Sequence, residues 1–410
     1  MEICKQEDCT ACEACRLVCP TGAISMEPNE KGFLHPVIDE HKCIHCDICR
    51  NICPANATED VNENQIDKKV FAAWIKDKNV RDESSSGGVF SAIADYVLNK
   101  GGIVFGARWT DDLSVVLDYC TDSEELRKFR GSKYVQGRTE DNYKKAKGFL
   151  DCGKNVLFSG TPCQIAGLKS YLRKDYPNLI TVDLICHGVP SPMVFQDYIK
   201  YMEKQHNDKV ASVYFRYKKP AWCSCSVRIE FEHATYINSA QIDPYFVGFD
   251  KNFYLRDSCL QCKYTNLNRM GDITIADFWG YRARNWRMRD FYKGCSVVIL
   301  NTRKGSDVFD NISNNVIFEK KTIDDALRSN KSLTKPYLKA KNSDKFWEDY
   351  LASRDFGAVS QKYFIPAKLG FRDALGRWIN RHLFLIPEPV INVLKRLRHR
   401  WLKYQEQRIP

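Results

Sequence analysis

Eight cysteines near the start of the chain form a single spacing pattern that occurs twice. Each run reads C-x2-C-x2-C-x3-C and is followed directly by a proline. Every cysteine of the second run lies 34 residues after its counterpart in the first, so the pattern is an internal duplication. The first run is Cys9, Cys12, Cys15 and Cys19, and the second is Cys43, Cys46, Cys49 and Cys53.

This duplicated spacing is typical of a pair of 4Fe–4S clusters. Three thiolates at two-residue intervals bind one cubane, whereas the fourth lies too far along the chain and ligates the other cubane. Structural zinc instead uses two C-x2-C pairs, and disulfides do not suit a reducing compartment. We therefore predict a bacterial-type dicluster ferredoxin module over residues 1–60. The first cysteine set is Cys9, Cys12, Cys15 and Cys53, and the second cysteine set is Cys43, Cys46, Cys49 and Cys19.

The composition favours a cytoplasmic protein of two or three domains. The chain has 410 residues, which suffices for several hydrophobic cores. Its start lacks a basic stretch followed by an apolar run, and no apolar stretch approaches the length of a membrane span. Cysteines in such a protein are thiolate ligands or small buried residues rather than disulfides. Those predicted to be small hydrophobic residues are Cys4, Cys120, Cys152, Cys223, Cys225 and Cys295.

The net charge of +11 is most pronounced near the C-terminus. Residues 371–410 contain nine Lys or Arg against three Asp or Glu, and residues 390–404 have the pattern of a basic amphipathic helix. Three interpretations of this helix stay open. It lies on an anionic membrane surface as a peripheral contact, packs on the protein itself, or attracts an acidic electron donor. Nucleic acid is not among the expected partners.

A second group of candidate ligands lies at the ends of two predicted strands. Residues 155–158 and 179–185 read as buried strands, with a helix over 164–175 between them. Such a unit forms a parallel crossover, which brings the ends of both strands to one edge of the sheet. Cys163 and Cys186 follow these strands, so we expect them in one crevice, where open α/β sheets bind their ligands.

A further C-x2-C pair lies in a predicted loop. One pair alone is weak support for a metal site, but together with the two cysteines at the sheet edge it completes a group of four thiolates. From the residues alone, a third 4Fe–4S cluster, structural zinc and metal-free buried thiols all stay open. The third cysteine set is Cys163, Cys186, Cys259 and Cys262.

Two short segments are candidates for binding a phosphate or a flavin. Residues 84–88 (Ser-Ser-Ser-Gly-Gly) precede a predicted helix, where the serines supply an N-cap and the glycines let a ligand approach free N–H groups. An ordinary capped helix start explains the same residues equally well. Residues 130–134 combine a turn, two cations and a tyrosine, and by themselves favour a surface turn.

Six motifs, taken in order, resemble those of the family of coenzyme F420 hydrogenase/dehydrogenase beta subunits, in the bacterial form with an N-terminal ferredoxin module. The resemblance covers about residues 1–305. It implies a flavoprotein that binds FAD and iron–sulfur clusters and exchanges electrons with a deazaflavin or another organic acceptor. Many bacterial members accompany genes for surface-polysaccharide synthesis. The motifs are Ser84-Ser-Ser-Gly-Gly88, Arg130-Gly-Ser-Lys-Tyr134, Gly160-Thr-Pro-Cys-Gln164, Cys186-His-Gly188, Cys259-x2-Cys262 and Asp277-Phe-Trp-Gly280.

The resemblance also implies roles for individual residues. It places FAD between the two short segments and the sheet edge near Cys163, and it favours a cluster over zinc at the third cysteine set. Lys133 is expected to offer positive charge to the pyrophosphate or the flavin ring. His187 is a candidate proton donor, although a hydrogen bond at a strand end explains this histidine equally well. The expected flavin contacts are Ser84, Ser85, Ser86, Gly87, Gly88, Arg130, Gly131, Ser132, Lys133, Tyr134, Thr161 and Gln164.

We therefore expect a fold of the α+β or α/β class with a mixed α/β flavin-binding core. Its four parts are the ferredoxin module (1–60), a flavin-cradle region (68–150), an α/β region (151–320) and a helical basic extension (321–410). The expected function is an iron–sulfur flavoprotein oxidoreductase that passes electrons from ferredoxin or another redox partner, through FAD, to a deazaflavin or a small sugar-related substrate. The alternatives are an electron-transfer subunit without a substrate site and a non-catalytic accessory protein of surface-polysaccharide biosynthesis.

Overall fold

A computed structural model of the chain describes residues 2–57, 65–283, 286–328 and 330–364, together with Val390 and Val393. Apart from these two valines, the basic helix predicted over 390–404 lies outside the described residues. None of the described helices is both long and apolar enough to span a membrane.

The described residues contain thirteen strands in three sheets. The strands are β1 (Ile24–Pro28), β2 (Leu34–Ile38), β3 (Gln65–Ile75), β4 (Ile103–Trp109), β5 (Val115–Cys120), β6 (Val156–Gly160), β7 (Leu179–Leu184), β8 (Val210–Ala221), β9 (Ser224–Phe231), β10 (Thr235–Ser239), β11 (Ile273–Asp277), β12 (Ser296–Thr302) and β13 (Val316–Lys321). A hairpin of β1 and β2 lies in the ferredoxin module, and β8, β9 and β10 form a small antiparallel sheet.

Fourteen α-helices lie in the same described part of the chain. They are α1 (Ala14–Val18), α2 (Ile48–Asn51), α3 (Lys78–Glu83), α4 (Val89–Leu98), α5 (Ser123–Leu126), α6 (Asn142–Asp151), α7 (Pro162–Leu172), α8 (Pro192–His206), α9 (Pro244–Asp250), α10 (Asp257–Leu260), α11 (Arg303–Ile312), α12 (Ile323–Leu327), α13 (Ser343–Ser353) and α14 (Phe356–Tyr363). Short 3-10 helices span Gln6–Asp8, Pro54–Asn56, Arg127–Phe129, Trp286–Lys293, Ser313–Asn315 and Lys331–Leu333.

The large sheet has eight strands in the order β13-β3-β12-β11-β7-β6-β4-β5. Its central pairs β4–β6, β6–β7 and β7–β11 are parallel, and the outer pairs are antiparallel. The crossover predicted from β6 through α7 to β7 is confirmed, because β6 and β7 are adjacent and parallel. The carboxyl ends of β6, β7 and β11 therefore lie at one edge of the sheet. The fold is mixed α/β, as predicted.

Helices cover both faces of this sheet because its central strands are apolar on both sides. Val104 of β4 packs with α4 and α11, whereas its neighbour Phe105 packs with α6 and α7 on the opposite face. Ala14 and Ile52 of the ferredoxin module join the core beside α6 and α7. The module therefore packs directly on the body of the protein.

The sequence duplication of the ferredoxin module also appears in its backbone. Ala11 and Glu13 have positive φ angles of 51° and 66°, and so do their counterparts His45 and Asp47, with 52° and 56°. Left-handed residues are uncommon outside glycine, and here they turn the chain between successive cysteines. The two halves therefore wrap their cysteines in the same way.

Two segments differ from the sequence interpretation. The predicted flavin-cradle region begins at residue 68, but Gln65 already pairs with Thr302 as the first residue of β3. Backbone pairing with β12 thus begins three residues earlier than the predicted boundary. Near the C-terminal end of the described residues, α13 and α14 contribute Phe346, Tyr350 and Phe356 to the largest hydrophobic core, so they belong to the body of the protein.

Candidate iron–sulfur and cofactor sites

The first cysteine set lies where the ferredoxin module meets the body of the protein. Cys9, Cys12 and Cys15 are buried. Burial raises the pKa of the Cys15 thiol, and the neighbouring thiols of Cys12, Cys9 and Cys53 raise it further. Four thiolates in such a small buried space repel one another unless cations lie between them, which is the charge that iron ions provide.

Cys4 is an unexpected neighbour of this set. We predicted it as a small hydrophobic residue, but its thiol contacts two of the ligands. Hydrogen bonds with Cys53 and Cys9 are the largest cause of the raised pKa of Cys4. A fifth thiol therefore accompanies the four predicted ligands.

The second cysteine set faces solvent. A small cavity is lined by all four of its thiol-bearing residues together with Ile24, Ile38 and Ile48. Cys46 is exposed, whereas Cys49 is buried. Ile44, between two of the ligands, has 62 % of its surface exposed. The grouping of thiols predicted from the spacing therefore corresponds to a space in the structure.

The third cysteine set forms at the carboxyl edge of the large sheet. Cys163 lies in the first turn of α7, Cys186 follows β7, and the other two thiols come from α10 and the residue that follows Gln261. Gly188 has φ +142°, and a Cβ atom there would lie 3.2 Å from the Cβ atom of Cys259. The sequence Cys-His-Gly therefore brings the end of β7 against α10.

The four cysteines of the third set are half-buried, and their thiols influence one another electrostatically. Burial raises the pKa of Cys259 to about 12, and the Cys163 and Cys262 thiols add to this effect. Burial also raises the pKa of Cys186, again with contributions from the other three members. As at the first set, a cation bound between these thiols would stabilise several thiolates at once.

A buried ion pair fixes the two segments that carry the third set. Arg269 is 1 % exposed and lies 3.2 Å from the carboxylate of Asp183. Its guanidinium donates hydrogen bonds to the carbonyls of Tyr264 and Leu184, at 2.8 and 2.7 Å. These carbonyls lie two residues from Cys262 and Cys186, so the side chain joins both segments.

The first and third sets meet through helix α7. A Cβ atom at Gly167 would lie 2.8 Å from the Cβ atom of Cys12 and 3.0 Å from its sulfur. Cys163 lies four residues earlier on the same helix, hence on the same face. Its thiol also acts electrostatically on Cys12. The two sets are therefore neighbours across α7.

The predicted cradle at residues 84–88 has structural contacts of its own. A Cβ atom at Gly87 would lie 2.4 Å from the carbonyl oxygen of Ala73, and one at Gly88 would lie 2.8 Å from Ile75. Both glycines are therefore required for packing on the large sheet. Loss of flavin in a Gly88→Val variant would therefore not identify a cofactor contact.

The serines of this segment do not cap α4, contrary to the prediction. Gly88 occupies the N-cap position with φ +77°, and no side chain bonds there. Ser84 and Ser86 instead donate to the carbonyls of Val80 and Cys295, at 2.6 and 2.9 Å. The amino end of α4 is left without a side-chain cap, a feature that favours anions.

The turn at residues 130–134 contacts the 84–88 segment, as the flavin prediction requires. The backbone N–H of Ser132 donates to the Ser85 hydroxyl at 2.6 Å. Lys133, however, folds back and donates to the carbonyls of Lys128 and Arg130, at 3.0 and 2.9 Å. Burial lowers the pKa of Lys133 to about 7. Its ammonium thus stabilises the 130–134 turn in this structure.

Three other predicted contacts also have partners within the protein. Thr161 and Gln164 form a reciprocal capping box at the start of α7, with the Thr161 N–H donating to the Gln164 side-chain oxygen at 3.0 Å. His187 lies 2.6 Å from Asn252 and stacks on Tyr337 at 3.8 Å. Burial lowers the pKa of His187. These contacts fit the structural interpretation of the histidine.

No sequence motif marks Arg216 of β8, which lies beside the predicted flavin segments. Its side chain is 5 % exposed and pairs with Asp277 at 3.1 Å. It lies 4.8 Å from the ring of Trp279 and next to the Tyr134 hydroxyl. Its Nε and Nη2 atoms are buried and have no hydrogen-bond partner among the described residues. Unpaired buried donors of a cation are costly, so they indicate a place for an anion.

Lys218, two residues further along β8, contacts the 84–88 segment. Its ammonium donates to the carbonyls of Ser86 and Lys293, at 2.9 and 3.0 Å, and to that of Arg81. Burial lowers the pKa of Lys218 to about 7. Strand β8 thus joins segments that are far apart in the sequence. Both cations are ordinary residues in the sequence, and no motif marks them.

Comparison with known families gives three matches along the chain. Residues 8–57 match a 4Fe-4S dicluster domain. Residues 70–139 match the N-terminal domain of the coenzyme F420 hydrogenase/dehydrogenase beta subunit, and residues 153–326 match its C-terminal domain. Together they include all three cysteine sets.

Curated relatives carry related descriptions. A coenzyme F420-dependent sulfite reductase of Methanocaldococcus jannaschii is 24 % identical over 314 residues, which are 73 % of this chain and 45 % of the relative. One subunit of the F(420)H(2) dehydrogenase of Methanosarcina mazei is 28 % identical over 183 residues, or 40 % of this chain and 48 % of the relative. The chain thus spans about half the length of the curated relatives it matches.

A solved structure of the F420-reducing [NiFe] hydrogenase complex from Methanosarcina barkeri is 18 % identical to this chain, with a TM-score of 0.44. The match covers 73 % of this chain and 91 % of the other. At this score the likeness adds nothing to the fold assignment. The family matches along the sequence are consistent with the motifs and with the cysteine sets. The chain belongs to the family of coenzyme F420 hydrogenase/dehydrogenase beta subunits and carries a 4Fe-4S dicluster domain before the two domains that define this family.

Proposed function

We propose that this chain is an iron–sulfur oxidoreductase subunit that carries electrons between a redox protein and an anionic flavin-type coenzyme. One observation supports this most: three sets of four cysteines follow one another from the surface to the ligand-binding edge of the large sheet. The second set faces solvent, the first lies where the ferredoxin module meets the body of the protein, and the third adjoins the first across α7. When bound, 4Fe–4S clusters supply one-electron transfer.

The third cysteine set is proposed to hold iron rather than zinc. All four of its members are thiols, a donor set that suits both metals. Its position beside the first set favours iron, because zinc has no redox chemistry to contribute there. A structural zinc at the third set would also leave the first set without a redox-active neighbour on the side of the sheet edge.

The coenzyme is proposed to lie against the side chains of β8. Arg216 offers two unpaired donors, Trp279 offers an aromatic surface, and the amino end of α4 lacks a cap. This combination suits a molecule that has both phosphate and an aromatic ring. FAD, implied by the motifs, and coenzyme F420, named in the relatives, are the two candidates. Such a ring supplies the two-electron chemistry that organic substrates require.

Replacing Arg216 by methionine is expected to weaken coenzyme binding by about 10- to 100-fold. The variant loses charge-assisted hydrogen bonds, each worth about 1.5–3 kcal/mol. The full chain is titrated with FAD and, separately, with coenzyme F420, and binding is monitored by fluorescence. The two titrations measure the change in affinity and identify the preferred coenzyme. Arg216→Lys, which keeps the charge beside Asp277, is expected to bind with intermediate affinity.

Arg228 of β9 provides the matched control. It belongs to the same small sheet and lies over the Tyr214 and Tyr217 rings, at 5.5 and 5.1 Å. Its side chain is 36 % exposed and pairs with Glu230. Its Nε, like that of Arg216, has no hydrogen-bond partner among the described residues, so the control isolates position rather than an unpaired donor. Arg228→Met should leave coenzyme affinity unchanged. Equal affinities for the Arg216→Met variant and the unaltered chain would exclude this coenzyme position.

The redox protein is proposed to dock over the second cysteine set, where Ile44 is exposed. Replacing Ile44 by glutamine is expected to slow reduction of the chain by reduced ferredoxin about tenfold, because an apolar anchor worth about 1.4 kcal/mol is lost. Stopped-flow absorbance measures the rate. Reduction by methyl viologen, which needs no docking surface, should be unchanged.

Ile237 serves as the control for this variant. It is 52 % exposed but lies on β10, outside the ferredoxin module. Ile237→Gln should therefore leave both rates unchanged. If Ile44→Gln accepts electrons from ferredoxin at the normal rate, the docking face lies elsewhere. Neither the structure nor the comparisons offer support for the sugar-related substrate or the polysaccharide role.

A further inference from the structure

Arg256 is a buried cation between the ferredoxin module and the body of the protein. It is 2 % exposed and lies three residues before Cys259 of the third set. Its Nε donates to the carbonyl of Cys9 at 2.6 Å, and its Nη2 donates to the carbonyl of Leu34 at 2.9 Å. Its Nη1 donates to the side chain of Gln136 at 3.2 Å. The side chain thus joins the first and third cysteine sets.

No carboxylate among the described residues pairs with this guanidinium. Its hydrogen-bond acceptors are two backbone carbonyls, the Gln136 amide and the His35 ring, and the Phe33 ring lies 5.5 Å away. A buried arginine without a counter-ion is strongly destabilising. By contrast, the buried Arg216 pairs with Asp277 and the buried Arg269 pairs with Asp183.

Thiolates of both sets are within electrostatic reach of Arg256. Besides its side-chain bond to the Cys9 carbonyl, Arg256 accepts a hydrogen bond at its own carbonyl from the backbone N–H of Cys259, at 2.9 Å. It therefore contacts the backbone of a ligand from each set. Clusters bound by the first and third sets would carry net negative charge, so each would supply the counter-charge that Arg256 lacks.

We propose that Arg256 is a positioning residue that raises the reduction potentials of the groups bound by the first and third cysteine sets. This proposal rests on the proposed function, because it requires clusters at both sets. Each cluster becomes more negative on reduction, so a fixed cation between them favours the reduced form of both. The second set, on the solvent side of the module, is not influenced in this way.

The test compares the midpoint potentials of the clusters in anaerobically purified full-length variants. Electron paramagnetic resonance monitors the clusters during a redox titration. Arg256→Met removes the charge, whereas Gln136→Glu keeps the arginine but places a carboxylate against it. Both variants are expected to make reduction at the first and third sets at least tenfold less favourable, a downward shift of about 59 mV for a one-electron couple. Arg256→Lys should keep most of the potential.

Lys31→Met is the control, because that cation is partly buried near the same boundary but pairs with Asp257 at 3.5 Å. It should shift no potential. Unchanged potentials in iron-replete Arg256→Met and Gln136→Glu proteins would overturn the proposal. Loss of iron from both variants, with Arg256→Lys intact, would also overturn it, by showing that Arg256 only holds the module in place. An unaltered chain without iron at these sets would instead refute the proposed function.

Discussion

Replacing Gly167 by alanine is expected to displace Cys12 and to remove the iron held by the first cysteine set. The new methyl group would lie 2.8 Å from the Cys12 Cβ atom and 2.9 Å from the Tyr143 hydroxyl. Both are buried, and Cys12 is a predicted cluster ligand that would have to keep its position. Overpacking of this kind costs about 1–3 kcal/mol. We expect a fall of that size in the free energy of unfolding and a loss of about four iron atoms per chain.

Gly148 of α6 gives the matched comparison for this variant. It is also a glycine inside a helix, but a Cβ atom there would meet nothing within 4 Å. Gly148→Ala should therefore stabilise the protein by about 0.5–1 kcal/mol, since alanine favours the helix more than glycine. Denaturant unfolding and iron analysis measure both variants. A Gly167→Ala protein with normal stability and full iron would show that the module does not pack closely on α7.

Replacing Cys186 by serine is expected to remove the metal of the third cysteine set while leaving the ferredoxin module loaded. A serine hydroxyl is a poor substitute for a thiolate ligand, and the three remaining thiols would lack a complete metal site. The loss should be about four iron atoms per chain. The module holds its own eight ligands, so its spectrum should stay unchanged.

Cys225→Ser is the control for the third set. Cys225 is also buried but lies on β9, in the hydrophobic core of the small sheet. Its replacement should leave the iron content unchanged. Equal iron in the Cys186→Ser protein and the unaltered chain would show that the third set holds no cluster.

The sequence predicted those parts of the site in which spacing along the chain determines geometry. Two runs of cysteines, repeated at a fixed distance, specify which thiols share a cluster, because the local backbone repeats as well. The crossover from β6 to β7 was predictable for a similar reason. Parallel strands joined by a helix must end at the same edge, which placed Cys163 near Cys186.

Other features could not be predicted because they depend on contacts between distant segments. Arg216 and Arg256 are ordinary cations in the sequence. Both become buried through the packing of β8 and of the ferredoxin module. The same packing places a carboxylate beside Arg216 but, among the described residues, none beside Arg256. The glycines at 87 and 88 are predicted from their type to contact a ligand. The structure adds a packing reason for them that the sequence does not reveal, because a neighbouring strand approaches them closely.

The most direct test of the account is the metal content of the unaltered chain, purified anaerobically and analysed for iron, acid-labile sulfide and zinc. Three cysteine sets that all hold 4Fe–4S clusters predict about 12 iron and about 12 sulfide atoms per chain, without stoichiometric zinc. About eight iron atoms together with one zinc per chain would contradict the account, because the third cysteine set would then be structural and electrons could not reach the sheet edge through it.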